Sequence, residues 1–284
     1  MTGTGLLEEH AEHEAAVEDL EIELLLEAAY RHSGYDFRDY TRATVARRLN
    51  ALANTLGVPN ISSLIPMLLH DEPLLPQLVS ALSVTVTELF RDPNIYRELR
   101  QSVLPTLSTY AFFKIWHAGC ATGEEAYSMA ILLEEAGLYD RATIFGTDMN
   151  SASLAKAADG IYGLATMRDG QSNFVRSGGR GSFANYYHAR YKAAQLSESL
   201  SRNMEFFVHN LVNGPALENM NLIMCRNVLM YFNRDLKDRV LEMFLDSLCH
   251  RGYLCLGAAE TIDFSSLADR FEVVSAEHRL YRKL

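Results

Sequence analysis

The sequence FFKIWHAGCATGEEAYS, at residues 112–128, joins a short apolar and aromatic run to a turn with two glycines and to the start of a helical segment. A strand that passes through a glycine-containing turn into a helix is typical of α/β proteins that bind nucleotides. The same turn also occurs where a strand simply reverses into a helix. The order of the three elements indicates an α/β fold, and the details of the turn must show what it binds.

The turn carries Gly119 and Gly123 at a spacing that lacks the central glycine of the dinucleotide motif G-x-G-x-x-G. Two carboxylates, Glu124 and Glu125, follow at the start of the helix. The helix dipole favours carboxylates there, but they repel a pyrophosphate that seeks the same N–H groups. They suit a ligand with positive charge, such as S-adenosylmethionine with its sulfonium and ammonium groups. The turn therefore argues against NAD or FAD.

A further acidic residue, Asp148, ends the apolar run at residues 142–147, which we predict to be the next strand. In nucleotide-binding sheets a ribose-binding acid follows the glycine loop by about 20 residues, and Asp148 follows this turn at a similar distance. A strand-end aspartate also caps a following helix, and Asn150 or Ser151 opens one here. The sequence leaves both roles open for Asp148.

Strands and helices alternate through the last two thirds of the chain. The predicted strands lie at residues 112–116, 142–147, 221–225 and 252–256, and the predicted helices at residues 123–136, 151–158 and 234–248. This alternation predicts a largely parallel sheet with helices on both faces, which binds ligands at the carboxyl ends of its strands. The pattern breaks at about residues 163–204, which we interpret as an insertion that projects from the sheet.

The first third of the chain shows only helical periodicity. Predicted helices lie at residues 19–32, 39–56, 62–70 and 76–82, and in the first of them Leu20, Leu24 and Ala28 recur at helical spacing. We therefore predict an acidic, flexible segment at residues 1–18, a helical domain at 19–92, a linker at 93–111 and the sheet domain at 112–284.

Composition excludes several classes of function. The chain has 284 residues and a formal net charge of −10, which disfavours nucleic acid as a partner because phosphates are repelled. Its four cysteines form no C-x-x-C pair and are expected to be buried in a protein of the reducing cytoplasm. The sequence shows no bilayer-spanning apolar run, signal peptide or metal-ligand cluster, so we expect a cytoplasmic protein without membrane insertion or metal.

Five motifs in consistent order resemble the CheR-type chemotaxis receptor methyltransferases, a family of protein-glutamate O-methyltransferases. They lie at residues 85–92, 118–128, 145–150, 225–232 and 252–257. The resemblance covers most of the chain, and the motif at 225–232 is the most distinctive. It implies an α/β, Rossmann-like S-adenosylmethionine-dependent methyltransferase sheet with a small helical N-terminal domain and an inserted small subdomain.

The resemblance also implies a reaction and the residues that perform it. S-adenosylmethionine would methylate a glutamate carboxylate of a chemoreceptor or related signalling protein and leave as S-adenosylhomocysteine. The implied catalytic residues are Arg91, close to the transferring methyl group, and Tyr231. The implied cofactor contacts are Thr85, Thr87, Arg91, Gly119, Glu125 at the methionine part, Asp148 at the ribose, Asn210 and Leu211 at the adenine, and Arg226 and Asn227.

The helical domain of the family carries a basic helix that faces the acidic methylation region of the receptor. Arg42, Arg47 and Arg48 match this helix in position and are the implied substrate-binding residues. Family members often have further arginines downstream, where residues 50–54 of this chain have none. The acidic stretch before this helix is explained most simply as a solvated face, and alternatively as a partner site or a cover for the basic helix.

Two departures concern the sheet domain. Ala126 stands where the family often has a proline after the glutamate pair. The insertion at about 163–204 matches the small β-subdomain of the family in place but poorly in sequence, so we do not expect it to bind a receptor tether peptide.

Two alternative functions stay open. The acceptor is either a glutamate of a receptor or, as the missing arginines favour, a small acid or a protein outside chemotaxis. A module that binds the cofactor without transferring its methyl group is disfavoured, because Arg91, Glu125, Asp148, Asn227 and Tyr231 are all present. A carboxylate acceptor, with an ordinary pKa of about 4.3, is ionised at neutral pH, so displacement at the sulfonium requires neither a general base nor a metal.

Overall fold

The computed structural model describes residues 4–71, 73–83 and 85–284, with side chains from residue 12 onward. The chain divides into two compact units, Met1–Val84 with Tyr231–Leu236, and Thr85–Met230 with Lys237–Leu284. No helix within the described residues is long and apolar enough to cross a membrane. The four cysteines are free, and three of them, Cys120, Cys225 and Cys255, are buried.

Helices form the first unit. They are α1 Thr4–Ser33, α2 Arg42–Leu56, α3 Leu64–His70 and α4 Leu74–Leu82. The boundary of α2 follows from Gly57, which has a φ of 69° and whose N–H group donates to the carbonyl of Asn54. The predicted helices of this third of the chain are present; α2, α3 and α4 end at the predicted residues and begin within three residues of the predicted starts.

The first helix differs from its prediction in length and in the face that it buries. It begins at Thr4, so the acidic segment predicted to be flexible is helical in its described part. Alanine, leucine and glutamate are frequent there, and all three favour helix. Ile22 and Leu25 are fully buried, whereas Leu20 and Leu24 are 55% and 50% exposed. Both sets have helical spacing, so periodicity could not choose between them.

Two sheets form the framework of the second unit. Its strands are β1 Phe113–Ala118, β2 Ala142–Asp148, β3 Ile161–Gly163, β4 Tyr187–Arg190, β5 Ala193–Leu196, β6 Met204–Val208, β7 Met220–Cys225, β8 Leu248–Leu256, β9 Phe271–Ser275 and β10 Leu280–Lys283. The large sheet has the order β6-β2-β1-β7-β8-β10-β9. The first five strands in this order pair in parallel, whereas β10 pairs antiparallel with both β8 and β9. The predicted α/β fold with a largely parallel sheet is confirmed.

Helices cover this sheet. They are α5 Pro93–Glu98, α6 Leu104–Leu107, α7 Glu124–Glu135, α8 Ser151–Asp159, α9 Leu164–Arg176, α10 Glu198–Ser201 and α11 Arg234–Ser247, with a π-helical turn at Leu99–Val103. The segment predicted as a linker, 93–111, is therefore largely helical. It buries Ile95, Tyr96 and Leu99 in the core of the second unit, so it is an integral part of that unit.

The region predicted to project from the sheet packs into the same core. It forms α9 and the small antiparallel sheet β3-β5-β4. Phe174 and Phe183 are buried, and both rings contact Phe90, with centroid distances of 5.4 and 6.3 Å. The stretch lacked a clear period because its aromatic residues are divided among a 3-10 turn and short strands.

The carboxyl ends of β1, β2 and β7 meet at one edge of the large sheet. In the parallel register, His117 lies opposite Gly146 on β2 and Met224 on β7. The buried Trp116 donates from Nε1 to Thr147 Oγ1 at 2.8 Å, which locks the first two strands together beneath that edge. The loops that follow these strands carry the predicted cofactor residues.

Candidate active site

The turn after β1 is shaped by two glycines with positive φ. Gly119 has a φ of 75° and Gly123 a φ of 90°. A Cβ atom at Gly119 would lie 2.6 Å from Val228 Cγ2, and one at Gly123 would lie 2.7 Å from Ala157 Cβ. Because neither position has room for a side chain, the turn forms a narrow backbone cradle at the carboxyl edge of the sheet.

Asp148, at the end of β2, connects this turn to the next loop. Its Oδ2 accepts the N–H group of Ala121 and its Oδ1 that of Asn150, each at 2.9 Å. Burial raises the pKa of Asp148, and these N–H donors oppose the shift. The cap of α8 is Asn150, whose side chain accepts from Ala152 and Ser153, so the capping role left open for Asp148 belongs to Asn150. Its contact with a ribose stays a prediction.

The two glutamates at the start of α7 have different surroundings. Glu125 Oε1 lies 2.8 Å from His117 Nδ1, and its Oε2 accepts from Arg226 Nη1 at 3.0 Å. Burial acts to raise the pKa of Glu125, but the hydrogen bond from His117 and the charge of Arg226 outweigh it, and the pKa is lowered. Glu124 accepts from Thr122 Oγ1 at 2.7 Å, and burial raises its pKa. The charge expected to attract a cationic ligand is therefore neutralised at Glu125 by Arg226.

Arg226 lies at the end of β7 and bridges three segments. Besides Glu125, it donates from Nη2 to Asp92 Oδ2 at 2.6 Å and from Nη1 to the carbonyl of Arg91 at 3.3 Å. Its side chain is 3% exposed. Burial is the largest single effect and acts to lower its pKa, but the negative charges around it, Glu125 foremost and Asp92 among them, together outweigh burial and the pKa is raised. Arg226 therefore stays charged and connects the segment around Arg91 to Glu125, which follows the turn after β1.

Arg91 has a different environment from Arg226. The residue before it, Phe90, is buried and donates its N–H group to Ser128 Oγ on α7 at 2.8 Å. The Arg91 side chain donates to the carbonyl of Val86 at 3.3 Å, and no carboxylate of the described residues pairs with it. A fixed backbone thus carries a guanidinium group that has no counter-ion within the described part of the chain.

Asn227 follows Arg226 in the left-handed region, with a φ of 61°. Its side-chain Oδ1 is buried and has no hydrogen-bond partner among the described residues. Its N–H group donates to Glu260 Oε2 at 2.9 Å. Sequence reasoning missed both Glu260 and Asp92, because nothing in the local pattern around either residue signals its partner.

The remaining predicted cofactor contacts of this unit are half-buried and lie in loops: Thr85, Thr87, Asn210 and Leu211. The loop after β6 lies beside Asp148, the predicted ribose-binding residue, because His209 donates its N–H group to the carbonyl of Asp148 at 3.1 Å. The structure thus brings the residues after β6 to the same edge as the turn after β1. Their roles stay predictions.

Tyr231 and the three arginines predicted to bind substrate belong to the first unit. Thr41 donates its N–H group to the carbonyl of Tyr231 at 2.8 Å. On α2, Arg42 pairs with Asp19 at 2.7 Å, and Arg48 donates to the carbonyls of Ala81 and Ser83 at 2.7 and 2.8 Å. Arg47 is exposed and makes no hydrogen bond or ion pair with the described residues. Of the three, Arg47 alone lacks an intramolecular partner within the described chain.

The residues at the carboxyl edge fit S-adenosylmethionine. The two glycines of the cradle place no side chain between the backbone of the turn and a ligand at this edge. The buried Oδ1 of Asn227, which has no partner in the described part of the chain, is an acceptor for an ammonium or hydroxyl group. Among the described residues no group of His, Cys, Asp or Glu is arranged to hold a metal ion.

Comparison with known sequences identifies the family. Residues 85–280 match the domain described as "CheR methyltransferase, SAM binding domain", and residues 20–83 match "CheR methyltransferase, all-alpha domain". The chain belongs to the CheR methyltransferase family. As a member it is an S-adenosylmethionine-dependent methyltransferase, which confirms the predicted family, enzyme class and cofactor.

Three relatives illustrate the similarity. The chain is 45% identical over 265 residues to a putative methyltransferase, Cher3, of Pseudomonas putida, covering 93% of this chain and 97% of that protein. It is 30% identical over 255 residues to chemotaxis protein methyltransferase 1 of Vibrio cholerae, covering 87% and 90%. It is 32% identical over 257 residues to an uncharacterized 104.1 kDa protein of Rhodobacter capsulatus, covering 88% of this chain and 26% of that protein.

Proposed function

We propose that this CheR-family methyltransferase forms methyl esters on glutamate side chains of a chemoreceptor or related signalling protein. S-adenosylmethionine supplies a methyl group on a positively charged sulfur. A carboxylate oxygen of the acceptor bonds to the methyl carbon while the sulfur–methyl bond breaks, and S-adenosylhomocysteine leaves. The chain itself has to bind both molecules, align the attacking oxygen and keep water away, and positioning of this kind is worth up to ~7–11 kcal/mol.

The contrast between Arg91 and Arg226 is the observation that best supports a carboxylate as the methyl acceptor. Arg226 forms ion pairs with Glu125 and Asp92. Arg91, whose carbonyl accepts from Arg226, has no carboxylate partner among the described residues. A guanidinium group matches the two oxygens of a carboxylate. Arg91 is therefore suited to orient an incoming carboxylate.

The histidines near this edge also favour an acceptor that needs no deprotonation. His117 is fully buried and bonded to Glu125. His209 is buried, its Nε2 lies 2.8 Å from the carbonyl of Pro215, and burial lowers its pKa. The second ring nitrogens, His117 Nε2 and His209 Nδ1, have no partner among the described residues but are buried, so neither is exposed to an incoming hydroxyl or ammonium acceptor. A glutamate carboxylate is already ionised at neutral pH and needs no base.

The nature of the acceptor protein draws on the relatives and on α2. Several relatives are named chemotaxis protein methyltransferases, which favours a receptor as the acceptor. Arg47 supports docking of an acidic segment on α2, because it is exposed and makes no ion pair within the described residues. Arg42 would have to exchange Asp19 for such a partner.

The test uses the full chain, methyl-labelled S-adenosylmethionine and purified cytoplasmic fragments of receptors. We expect protein-bound label that mild alkali releases as methanol, which identifies a carboxyl ester. Label that survives alkali, or that appears only in a small acid, overturns the proposal.

The role of Arg91 is tested in the same assay with Arg91→Ala. Methyl transfer is expected to fall far more than the affinity for S-adenosylhomocysteine. Arg97→Ala is the matched control, because Arg97 is an exposed arginine six residues further on in the same unit. Equal losses of transfer and affinity in Arg91→Ala contradict the orienting role.

A further inference from the structure

Glu260 is a buried carboxylate in the loop after β8. It is 5% exposed, although nothing in the sequence around it marks it as functional. Its Oε2 accepts the N–H groups of Gly257 at 2.6 Å and Asn227 at 2.9 Å, and its Oε1 accepts that of Met230 at 3.1 Å. One side chain therefore joins the loop after β8 to the loop after β7, which carries Arg226 and Asn227.

The backbone that Glu260 holds has an unfavourable conformation. Asn227 has a φ of 61°, a region that side-chain-bearing residues seldom occupy without support from their surroundings. The bond from its N–H group to Glu260 supplies that support. The Oδ1 atom of the same side chain is buried and has no hydrogen-bond partner among the residues that the structure describes.

The close packing around the carboxylate shows that its position is specific. A Cβ atom at Gly257 would lie 2.7 Å from Glu260 Oε2 and 2.8 Å from the nitrogen of Asn227. Only a glycine allows this approach of the two loops. The three donors to Glu260 lie in the segments that follow β7 and β8 at the carboxyl edge of the sheet, where Met230 belongs to a 3-10 turn.

We infer that Glu260 is a positioning residue of the methyltransferase site. It fixes the backbone at residues 227 and 230 and thereby sets the direction of the Asn227 side chain towards S-adenosylmethionine. It acts through Asn227 and does not itself touch the cofactor. The inference concerns cofactor binding and holds whether or not the acceptor is a glutamate.

The first test is Glu260→Gln, which keeps the shape of the side chain but replaces one accepting oxygen by an NH2 group. The NH2 group then faces either the N–H groups of Gly257 and Asn227 or that of Met230, and those donors lose their acceptor. We expect about a tenfold weaker affinity for S-adenosylhomocysteine in titration calorimetry. Glu260→Asp keeps both accepting oxygens, and the same measurement on it provides a milder variant if Glu260→Gln does not fold.

The matched control is Glu135→Gln. Glu135 is also a buried carboxylate of this unit that accepts from a backbone N–H group, that of Arg180, but it lies at the far end of α7. Its replacement should leave affinity for S-adenosylhomocysteine within about twofold of the wild type even if it lowers the unfolding temperature. Equal losses of affinity in both variants would assign Glu260 a general structural role and overturn the inference.

A double-mutant cycle tests whether Glu260 acts through Asn227. If it does, Glu260→Gln in the background of Asn227→Ala should weaken S-adenosylhomocysteine binding much less than it does in the wild type. Additive losses in the double variant contradict the inference. Wild-type affinity in Glu260→Gln contradicts it as well.

Discussion

Arg226 Nη1 lies 3.0 Å from Glu125 Oε2, and this ion pair joins segments that are 101 residues apart in the chain. The two side chains are 3% and 14% exposed. Because both charges are largely shielded from water, each depends strongly on the other for compensation. The pair therefore fixes the end of β7 against the start of α7, where the predicted cofactor contacts lie.

Removing the cation of this pair should be costly. We expect Arg226→Met to lower the free energy of unfolding by about 3 kcal/mol, because it leaves Glu125 buried without its counter-charge. Urea unfolding at neutral pH measures the loss. The double variant Arg226→Met/Glu125→Leu removes both charges and should recover part of it, and a double variant less stable than the single one contradicts the argument.

The two adjacent glutamates of α7 should respond to pH in opposite directions. The pKa of Glu125 is lowered from its ordinary value of 4.5, so its contribution to stability is present above that value and is lost as the pH falls through the lowered pKa. The pKa of Glu124 is raised, so its contribution is present in acid and is lost as the pH rises from 4.5 through the raised pKa.

Urea unfolding between about pH 3.5 and about pH 7 measures this difference. Relative to the wild type, Glu125→Gln should become less stable as the pH rises, and Glu124→Gln should become more stable. The residues are neighbours on one helix, so each serves as the control for the other. Slopes of the same sign would refute the assignment.

The fold and the turn after β1 were predictable because the residues that indicate them are close together in the sequence. The apolar run at β1, the glycines of the turn and the glutamates after it are contiguous, and the alternation with α7 and α8 indicates a parallel sheet. The role of Asp148 could not be decided locally, because an aspartate and an asparagine two residues apart both qualify as a helix cap. Only the structure assigns the cap to Asn150.

Contacts between distant segments were not predictable. Arg226 meets Asp92 across 134 residues, so nothing in the sequence showed that the cation beside the turn is already neutralised. The same holds for Glu260, which meets Asn227 across 33 residues. The buried face of α1 was missed for a different reason, since two apolar sets share one helical period and only packing against α2 and α3 distinguishes them.

The cradle at Gly119 should reject any side chain. Gly119→Ala adds strain at a φ of 75° and places a Cβ atom 2.6 Å from Val228 Cγ2. Gly137→Ala is the matched control, because Gly137 has a φ of 65° but no described residue has an atom within 4 Å of its Cβ position. The control should lose about 1–2 kcal/mol of stability from strain alone.

Gly119→Ala should lose more stability than the control and should also bind S-adenosylhomocysteine more weakly. Adding Val228→Ala removes the clash and should restore the stability of Gly119→Ala towards that of the control. Urea unfolding and titration calorimetry measure the two effects. Equal stability of the two single variants would show that the turn adjusts without cost.

Substitutions of the adjacent residues Arg47 and Arg48 on α2 should have different effects, one on acceptor binding and the other on stability. Arg48 donates to the carbonyls of Ala81 and Ser83 at the end of α4, so Arg48→Ala should lower the free energy of unfolding by about 1.5–3 kcal/mol. Arg47 is exposed and makes no such bond within the described residues, so Arg47→Ala should change stability by less than about 0.5 kcal/mol. Under the proposed function, Arg47→Ala should instead raise the KM for the acceptor protein while the KM for S-adenosylmethionine stays unchanged. A loss of stability in Arg47→Ala, or an unchanged KM for the acceptor, would exclude this arginine from acceptor docking.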